Sequence, residues 1–153
     1  MNKFLERIAN GEVLIADGAT GTNLQKMGLK PGIAPEDLVL DNPEILQNLA
    51  AQFVKAGSDI ILTCTFGGTR LRMKESRYVD RCVEINQRAV QIARKAASAR
   101  EDVLVAGSIG PTGALIKPLG PLNPEEAFAA YAEQAKALSE GGVDLIIIET
   151  VFA

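Results

Sequence analysis

Two carboxylates, Asp17 and Glu149, each directly follow an apolar run of the sequence and are candidates for binding an amino acid. Asp17 follows an apolar run at residues 13–16 and opens the segment DGATGT. Its carboxylate can accept a hydrogen bond from an ammonium group, and the backbone N–H groups of a glycine turn can bind a carboxylate. Because an α-amino acid carries both groups, the segment predicts an amino-acid site. A tight strand-to-helix turn, with Asp17 or Thr20 as a helix cap, explains the same residues.

Glu149 is the stronger indication of a binding site. It follows the apolar residues 145–148, which are typical of a buried strand. A buried carboxylate without a partner is costly, so it needs a cation or several hydrogen-bond donors. No Lys or Arg occurs at the ends of the other apolar runs, which favours a ligand ammonium over an internal partner. The residues expected to contact the substrate are Asp17, Gly18, Ala19, Thr20 and Glu149.

The sequence offers no set of residues for a metal site. It contains no histidine and only two cysteines, Cys64 and Cys82. Zinc needs three or four protein donors, so we expect neither a metal ligand nor a catalytic residue within this chain. We interpret both cysteines as small buried residues. Arg70 and Arg72 could attract an anion, but we interpret them as solvated surface residues.

A parallel α/β fold is predicted to position these groups. Four continuous apolar runs are typical of parallel strands buried on both faces; they lie at residues 13–16, 60–62, 103–106 and 145–148. Helices are predicted between them, at about residues 42–56, 80–99 and 123–140. Two of these begin with Asn-Pro-Glu and end at glycine. The carboxyl ends of parallel strands meet at one edge of a sheet, where α/β folds carry their sites.

Two architectures fit this order of elements. One is the first half of a (β/α)8 barrel, with four parallel strands and intervening helices. The other is a small doubly wound sheet, which can be complete at this length. The sequence ends three residues after Thr150 with no closing helix, which favours half a barrel. An internal repeat, GSDII at residues 57–61 and GVDLI at residues 142–146, indicates a repeated supersecondary unit.

Composition narrows the class of protein. The chain has 153 residues, of which 47% are hydrophobic, and a formal net charge of −3, so one globular domain is expected. No basic cluster indicates a nucleic-acid partner. No apolar run near the N-terminus is long enough for export or membrane insertion. With two cysteines and no signal peptide, a cytoplasmic protein is expected.

Five segments, taken in order, resemble the homocysteine S-methyltransferase family. The resemblance is closest to the N-terminal homocysteine-binding domain of cobalamin-dependent methionine synthase. The segments are DGATGT at 17–22, AGSDII at 56–61, TF at 65–66, GSIGPT at 107–112 and GGVDLIIIET at 141–150. The resemblance implies that residues 1–153 form the N-terminal half of a (β/α)8 barrel domain.

The resemblance also implies a reaction. In that family, zinc held by three cysteines binds the homocysteine sulfur as a thiolate, which accepts a methyl group and becomes methionine. The residues that hold the amino-acid end correspond here to Asp17, Gly18, Ala19 and Glu149. The family's zinc cysteines belong to Asn-Cys and Gly-Gly-Cys-Cys motifs that this sequence does not contain, so we expect no activity from the chain alone. Among methyl donors, methylcobalamin fed by methyltetrahydrofolate is favoured over betaine and S-methylmethionine.

Half a barrel leaves two sheet edges open, and open edges favour pairing. The chain is interpreted as a piece of a longer enzyme, as one of two identical halves, or as the partner of a separate chain that carries the zinc ligands. A second function class is a non-catalytic half-barrel that binds an amino acid or serves as an assembly module. A flavodoxin-like binding domain is a third, and it predicts a closed monomer.

Overall fold

A three-stranded parallel sheet lies at the centre of the structure, a computed structural model that describes residues 3–151 apart from the side chain of Glu75. The strands are β1 (Ile60–Leu62), β2 (Leu104–Ile109) and β3 (Leu145–Ile148). Strand β2 lies between the other two, with Ile60 opposite Leu104 and Ala106 opposite Leu145. Each crossover passes through a helix, as parallel strands require.

The described part of the chain forms six α-helices. They are α1 (Lys3–Ala9), α2 (Thr20–Lys26), α3 (Leu38–Asp41), α4 (Pro43–Ala56), α5 (Cys82–Ala97) and α6 (Pro124–Gly141). Short 3-10 helices occur at Pro35–Asp37, Arg72–Glu75 and Val79–Arg81. The three predicted helices are confirmed as α4, α5 and α6. Helices α4 and α6 begin at a proline and end before Gly57 and Gly142, whose left-handed φ angles of 107° and 92° suit glycine.

The fourth strand predicted at residues 13–16 is not confirmed in the described part of the chain. Ala16 forms a parallel bridge to Ile60, and the carbonyl of Ile15 accepts hydrogen bonds from the backbone N–H groups of Asp59 and Ile60, but the segment does not form a named strand. The side chains of Val13 and Ile15 are 89% and 60% exposed. The segment runs along the outer edge of β1 and pairs with it through a single bridge, whereas β3, which also has a neighbour on one side only, pairs with β2 over four residues.

The helices that connect the strands all pack on one face of the sheet. Ile61 and Val105 lie in one buried cluster with Val54 of α4, Val90 of α5 and Leu138 of α6. A doubly wound sheet would place crossover helices on both faces. The one-sided arrangement is that of a barrel wall, so the structure favours the barrel fragment over the doubly wound sheet.

The opposite face of the sheet is also apolar. Alternate residues of the strands point to it, and Ile60, Leu104 and Ala106 form its buried centre. Leu145 and Ile147 pack against them. Among the helices of residues 3–151, none combines the length and the apolarity needed to cross a membrane.

Candidate functional site

A cleft of about 990 Å³ opens at the carboxyl edge of the sheet. Its volume lies within the range of small-molecule sites. All five residues predicted from the sequence to contact a substrate line it: Asp17, Gly18, Ala19, Thr20 and Glu149. The structure therefore brings together two sequence segments that are more than a hundred residues apart, because both follow the sheet at the same edge.

Asp17 is fixed by the neighbouring strand. Its Oδ2 accepts a hydrogen bond of 3.0 Å from the backbone N–H of Leu62, at the end of β1. Burial raises the pKa of Asp17 to about 6, and the negative charge of Glu149 adds to this rise, although the Leu62 hydrogen bond opposes it. Helix α2 starts after Ala19 and has no side-chain cap, so the interpretation of Asp17 or Thr20 as a helix cap is not supported.

Glu149 is partly buried at the end of β3. The hydroxyl of Ser108 donates a hydrogen bond of 2.6 Å to Oε1 of Glu149. The backbone N–H of Glu149 donates to the carbonyl of Ile109. No ion pair to Glu149 occurs within residues 3–151. The carboxylate thus has one neutral protein partner and lies close enough to Asp17 for their charges to interact. Two neighbouring carboxylates of this kind favour a bound cation.

Backbone donors lie on the same wall as Asp17. Within the described residues, the N–H groups of Gly18 and Ala19 donate no hydrogen bond, and both residues line the cleft. The cleft therefore contains two hydrogen-bond donors, the N–H groups of Gly18 and Ala19, and two acceptors, the carboxylates of Asp17 and Glu149. This combination matches the carboxylate and the ammonium of an amino acid.

Two residues of the site were missed in the sequence. Glu36 follows Pro35 in a 3-10 helix, yet its side chain is only 5% exposed and its Oε1 accepts a hydrogen bond of 2.6 Å from Gly67 N–H. Burial raises the pKa of Glu36. Ser108 lies within β2, next to the residues that end the strand. Ser108 belongs to the segment GSIGPT that follows the apolar run at 103–106, and its position on the same strand face as Leu104 and Ala106 is a further signal for its place in the cleft.

The two arginines after β1 differ in their surroundings. Arg70 forms an ion pair of 2.9 Å with Glu133 of α6, away from the cleft. Arg72 is exposed and lines the cleft, where its charge acts on Glu36. The other charged residues along the cleft wall are acidic, so the cleft as a whole favours a cationic group.

The thiols do not fit a zinc site. Cys64 lines the cleft, but burial and the charge of Glu36 hold the pKa of its thiol well above the ordinary value. Burial raises the pKa of Cys82 to about 11, and its thiol donates to the carbonyl of Gly68. Zinc binds the thiolate, and no group of three or more Cys, His, Asp or Glu that could hold a metal occurs among residues 3–151. No step of a reaction is therefore assigned to a metal held by these residues.

Known structures share this fold. Three structures of the homocysteine methyltransferase MmuM from Escherichia coli are similar to this chain. The metallated form has a TM-score of 0.82 at 22% identity and matches 96% of this chain. The oxidized form has 0.79 at 24% over 93%, and the apo form has 0.67 at 26% over 93%. The chain covers 57%, 55% and 51% of those structures, so it spans little more than half of their length.

The chain is an α/β protein whose fold is similar to a fragment of a (β/α)8 barrel. The polar groups of its cleft lie at the carboxyl edge of the sheet. The sequence model of the homocysteine S-methyltransferase family matches residues 14–153. The chain belongs to that family. The family and the fold predicted from the sequence are confirmed in this form, with three strands in place of four.

Proposed function

We propose that this chain supplies the half of a homocysteine S-methyltransferase site that holds the amino-acid end of homocysteine. The carboxylates of Asp17 and Glu149 bind the ammonium group. The N–H groups of Gly18 and Ala19 bind the carboxylate, and Thr20 completes the wall of the cleft. The membership of the family supports homocysteine as the substrate, and methionine as the product of the whole protein.

The observation that carries this proposal is the pair of carboxylates without a cationic partner in the described residues. Asp17 remains partly buried with a pKa of about 6, raised in part by Glu149. A bound ammonium would stabilise the charged form of Asp17. The chain thus maintains an arrangement that is unfavourable in the free protein and favourable with a cationic ligand, which is typical of a binding site.

The methyl transfer itself is proposed to need residues outside this chain. Among the described residues, neither Cys64 nor Cys82 belongs to a group of three or more possible metal ligands, so we propose that the zinc ligands lie outside this chain. The sequence resemblance supports zinc as the metal of the complete enzyme, and methylcobalamin with methyltetrahydrofolate as the source of the methyl group. We propose that residues 1–153 act as the N-terminal half of that barrel domain. We also propose that the protein is cytoplasmic, and localisation of a tagged protein would test this location.

Calorimetric titration with homocysteine tests the amino-acid site. The unchanged chain is expected to bind, and Glu149→Gln is expected to weaken binding by about 10- to 100-fold, since a charge-assisted hydrogen bond to the ammonium is lost. Glu101→Gln removes the same charge from an exposed turn and is the matched control. Equal affinities for the three proteins would contradict the assignment of the ammonium site.

A methyl-transfer assay separates the two function classes. With homocysteine, zinc and a methyl donor, the chain alone is expected to form no methionine, since its residues provide no metal site. Formation of methionine under these conditions would contradict the half-site proposal. Binding of homocysteine without turnover, even after addition of the remaining part of a related barrel, would favour the non-catalytic amino-acid-binding module.

A further inference from the structure

We propose that Ser108 is a positioning residue for Glu149, and that a ring of hydrogen bonds through Thr63 and Thr65 holds Ser108 in place. The inference rests on the proposed amino-acid site. It adds the residues that set the geometry of one of its two carboxylates.

The link between Ser108 and Glu149 is short and directional. The Ser108 side chain is buried, and its hydroxyl donates to Oε1 of Glu149 at 2.6 Å. A serine hydroxyl has a single proton, which this bond uses. Within residues 3–151, no hydrogen bond reaches the second oxygen, Oε2. One oxygen of the carboxylate is therefore anchored, and the other remains for a ligand.

The peptide groups of Ser108 are themselves fixed by two buried threonines that follow β1. The N–H of Ser108 donates to Oγ1 of Thr63 at 3.1 Å, and Oγ1 of Thr65 donates to the carbonyl of Ser108 at 2.7 Å. The two threonine hydroxyls lie 2.6 Å apart. These contacts form a closed ring around the residue that holds Glu149.

Every proton in this ring has one possible assignment. A carbonyl oxygen only accepts, so the hydroxyl proton of Thr65 must go to Ser108. Thr65 then accepts from Thr63, and the oxygen of Thr63 accepts from the Ser108 N–H. Because no hydroxyl is free to rotate, the ring fixes the strand at Ser108, and the Ser108 hydroxyl is directed to a single acceptor.

Helix α6 supports the ring from behind the sheet. The side chain of Gln134 is buried, and its Nε2 donates to the carbonyl of Thr65 at 2.7 Å. The same Nε2 lies 3.2 Å from Oδ1 of Asn86 on α5. The position of Glu149 thus depends on two helices that do not line the cleft, which is how supporting residues keep a site within a narrow geometry.

The test compares two ligands that differ by the amino group. Ser108→Ala is expected to weaken homocysteine binding about tenfold, as for the loss of one hydrogen bond to a charged group, and to leave the binding of 4-mercaptobutyrate unchanged. In a Glu149→Gln background, Ser108→Ala is expected to have no further effect on homocysteine. Ser58→Ala removes a serine of similar burial at the opposite end of β1 and serves as the control.

The outcomes distinguish this inference from the function on which it rests. Failure of the unchanged chain to bind homocysteine would overturn the proposed function. A loss of affinity from Glu149→Gln but none from Ser108→Ala would overturn the role of Ser108, and so would an equal loss for both ligands. A crystal structure of Ser108→Ala decides the matter without a ligand: displacement of the Glu149 carboxylate supports positioning, and an unchanged carboxylate contradicts it.

Discussion

Asp17 shows how a binding residue can oppose the stability of the free protein. Burial and the charge of Glu149 raise its pKa from 3.8 to about 6, so the ionised form at neutral pH is unfavourable. The folded state binds a proton at this residue more strongly than the unfolded state does. The resulting loss of stability is complete above about pH 6, decreases as the pH falls from 6 to 3.8, and vanishes below that range.

Replacement of Asp17 by asparagine is therefore expected to stabilise the free chain. Asparagine keeps an oxygen for the Leu62 N–H and carries no charge. At about pH 8 the free energy of unfolding in urea should rise by about 1 to 2 kcal/mol, after allowance for solvent screening of this partly exposed group, and homocysteine affinity should fall. The gain in stability should disappear near pH 4.

Asp59→Asn provides the control of opposite sign. The Ile15 N–H and the ion pairs with Arg7 and Arg100 lower the pKa of Asp59, so its charge is favourable in the folded state. This variant should lower stability at pH 8. An Asp17→Asn protein that is less stable than the unchanged chain at pH 8 would refute the account of Asp17.

The residues of the site were predictable from sequence where local position was enough. Asp17 and Glu149 directly follow apolar runs, so the sequence places them at the carboxyl edge of a parallel sheet. Glu36, which lines the cleft, and Gln134, which supports it from α6, have no such local mark, because their hydrogen-bond partners Gly67 and Thr65 are distant in sequence. Long-range contacts of this kind become visible only in the structure.

The repeated Gly-x-Asp segments, at residues 57–59 and 142–144, connect a helix to the following strand and also make long-range hydrogen bonds. Gly57 and Gly142 end helices in the left-handed conformation, and the aspartates two residues later accept N–H groups from the neighbouring segment: Asp59 from Ile15 and Asp144 from Val105. The repeat in sequence therefore corresponds to a repeated helix-to-strand connection, from α4 to β1 and from α6 to β3. The helices and three strands were predictable from such local signals, whereas the segment at 13–16 has strand-like residues but pairs with β1 through a single bridge.

Two glycines, Gly68 in the loop after β1 and Gly21 in α2, are expected to respond in opposite ways to replacement by alanine. A Cβ on Gly68 would lie 2.7 Å from both Asn86 Oδ1 and Gln134 Nε2, whereas a Cβ on Gly21, inside α2, would meet nothing within 4 Å. Gly68→Ala should lower the free energy of unfolding by about 1 to 3 kcal/mol, because it displaces a buried amide pair. Gly21→Ala should raise it by about 0.5 to 1 kcal/mol, as alanine favours the helix. Urea denaturation of both variants measures the difference, and changes of the same sign would contradict the packing of this loop.

At the scale of the whole molecule, both edges of the sheet expose apolar side chains. Val13 and Ile15 lie at one edge, and Ile148 of β3 is 69% exposed at the other. The barrels that this chain resembles are almost twice as long. We propose that these edges pair with the remaining half of the barrel or with a second copy of the chain, since unpaired edges favour association.

Concentration-dependent association is therefore expected in sedimentation experiments. Ile148→Lys should reduce it, because a charge on an edge strand opposes pairing. Val83→Lys, on a partly exposed position of α5 away from the sheet, is the control. A chain that stays monomeric at all concentrations, with or without these substitutions, would contradict the open-edge interpretation.

Asp17 and Glu149 are proposed to hold the ammonium group of homocysteine together. A crystal structure of the chain grown with homocysteine would show whether they do. We expect the ligand nitrogen within hydrogen-bond distance of both carboxylates, and the ligand carboxylate at the N–H groups of Gly18 and Ala19. A ligand bound with its amino group away from both side chains would contradict it.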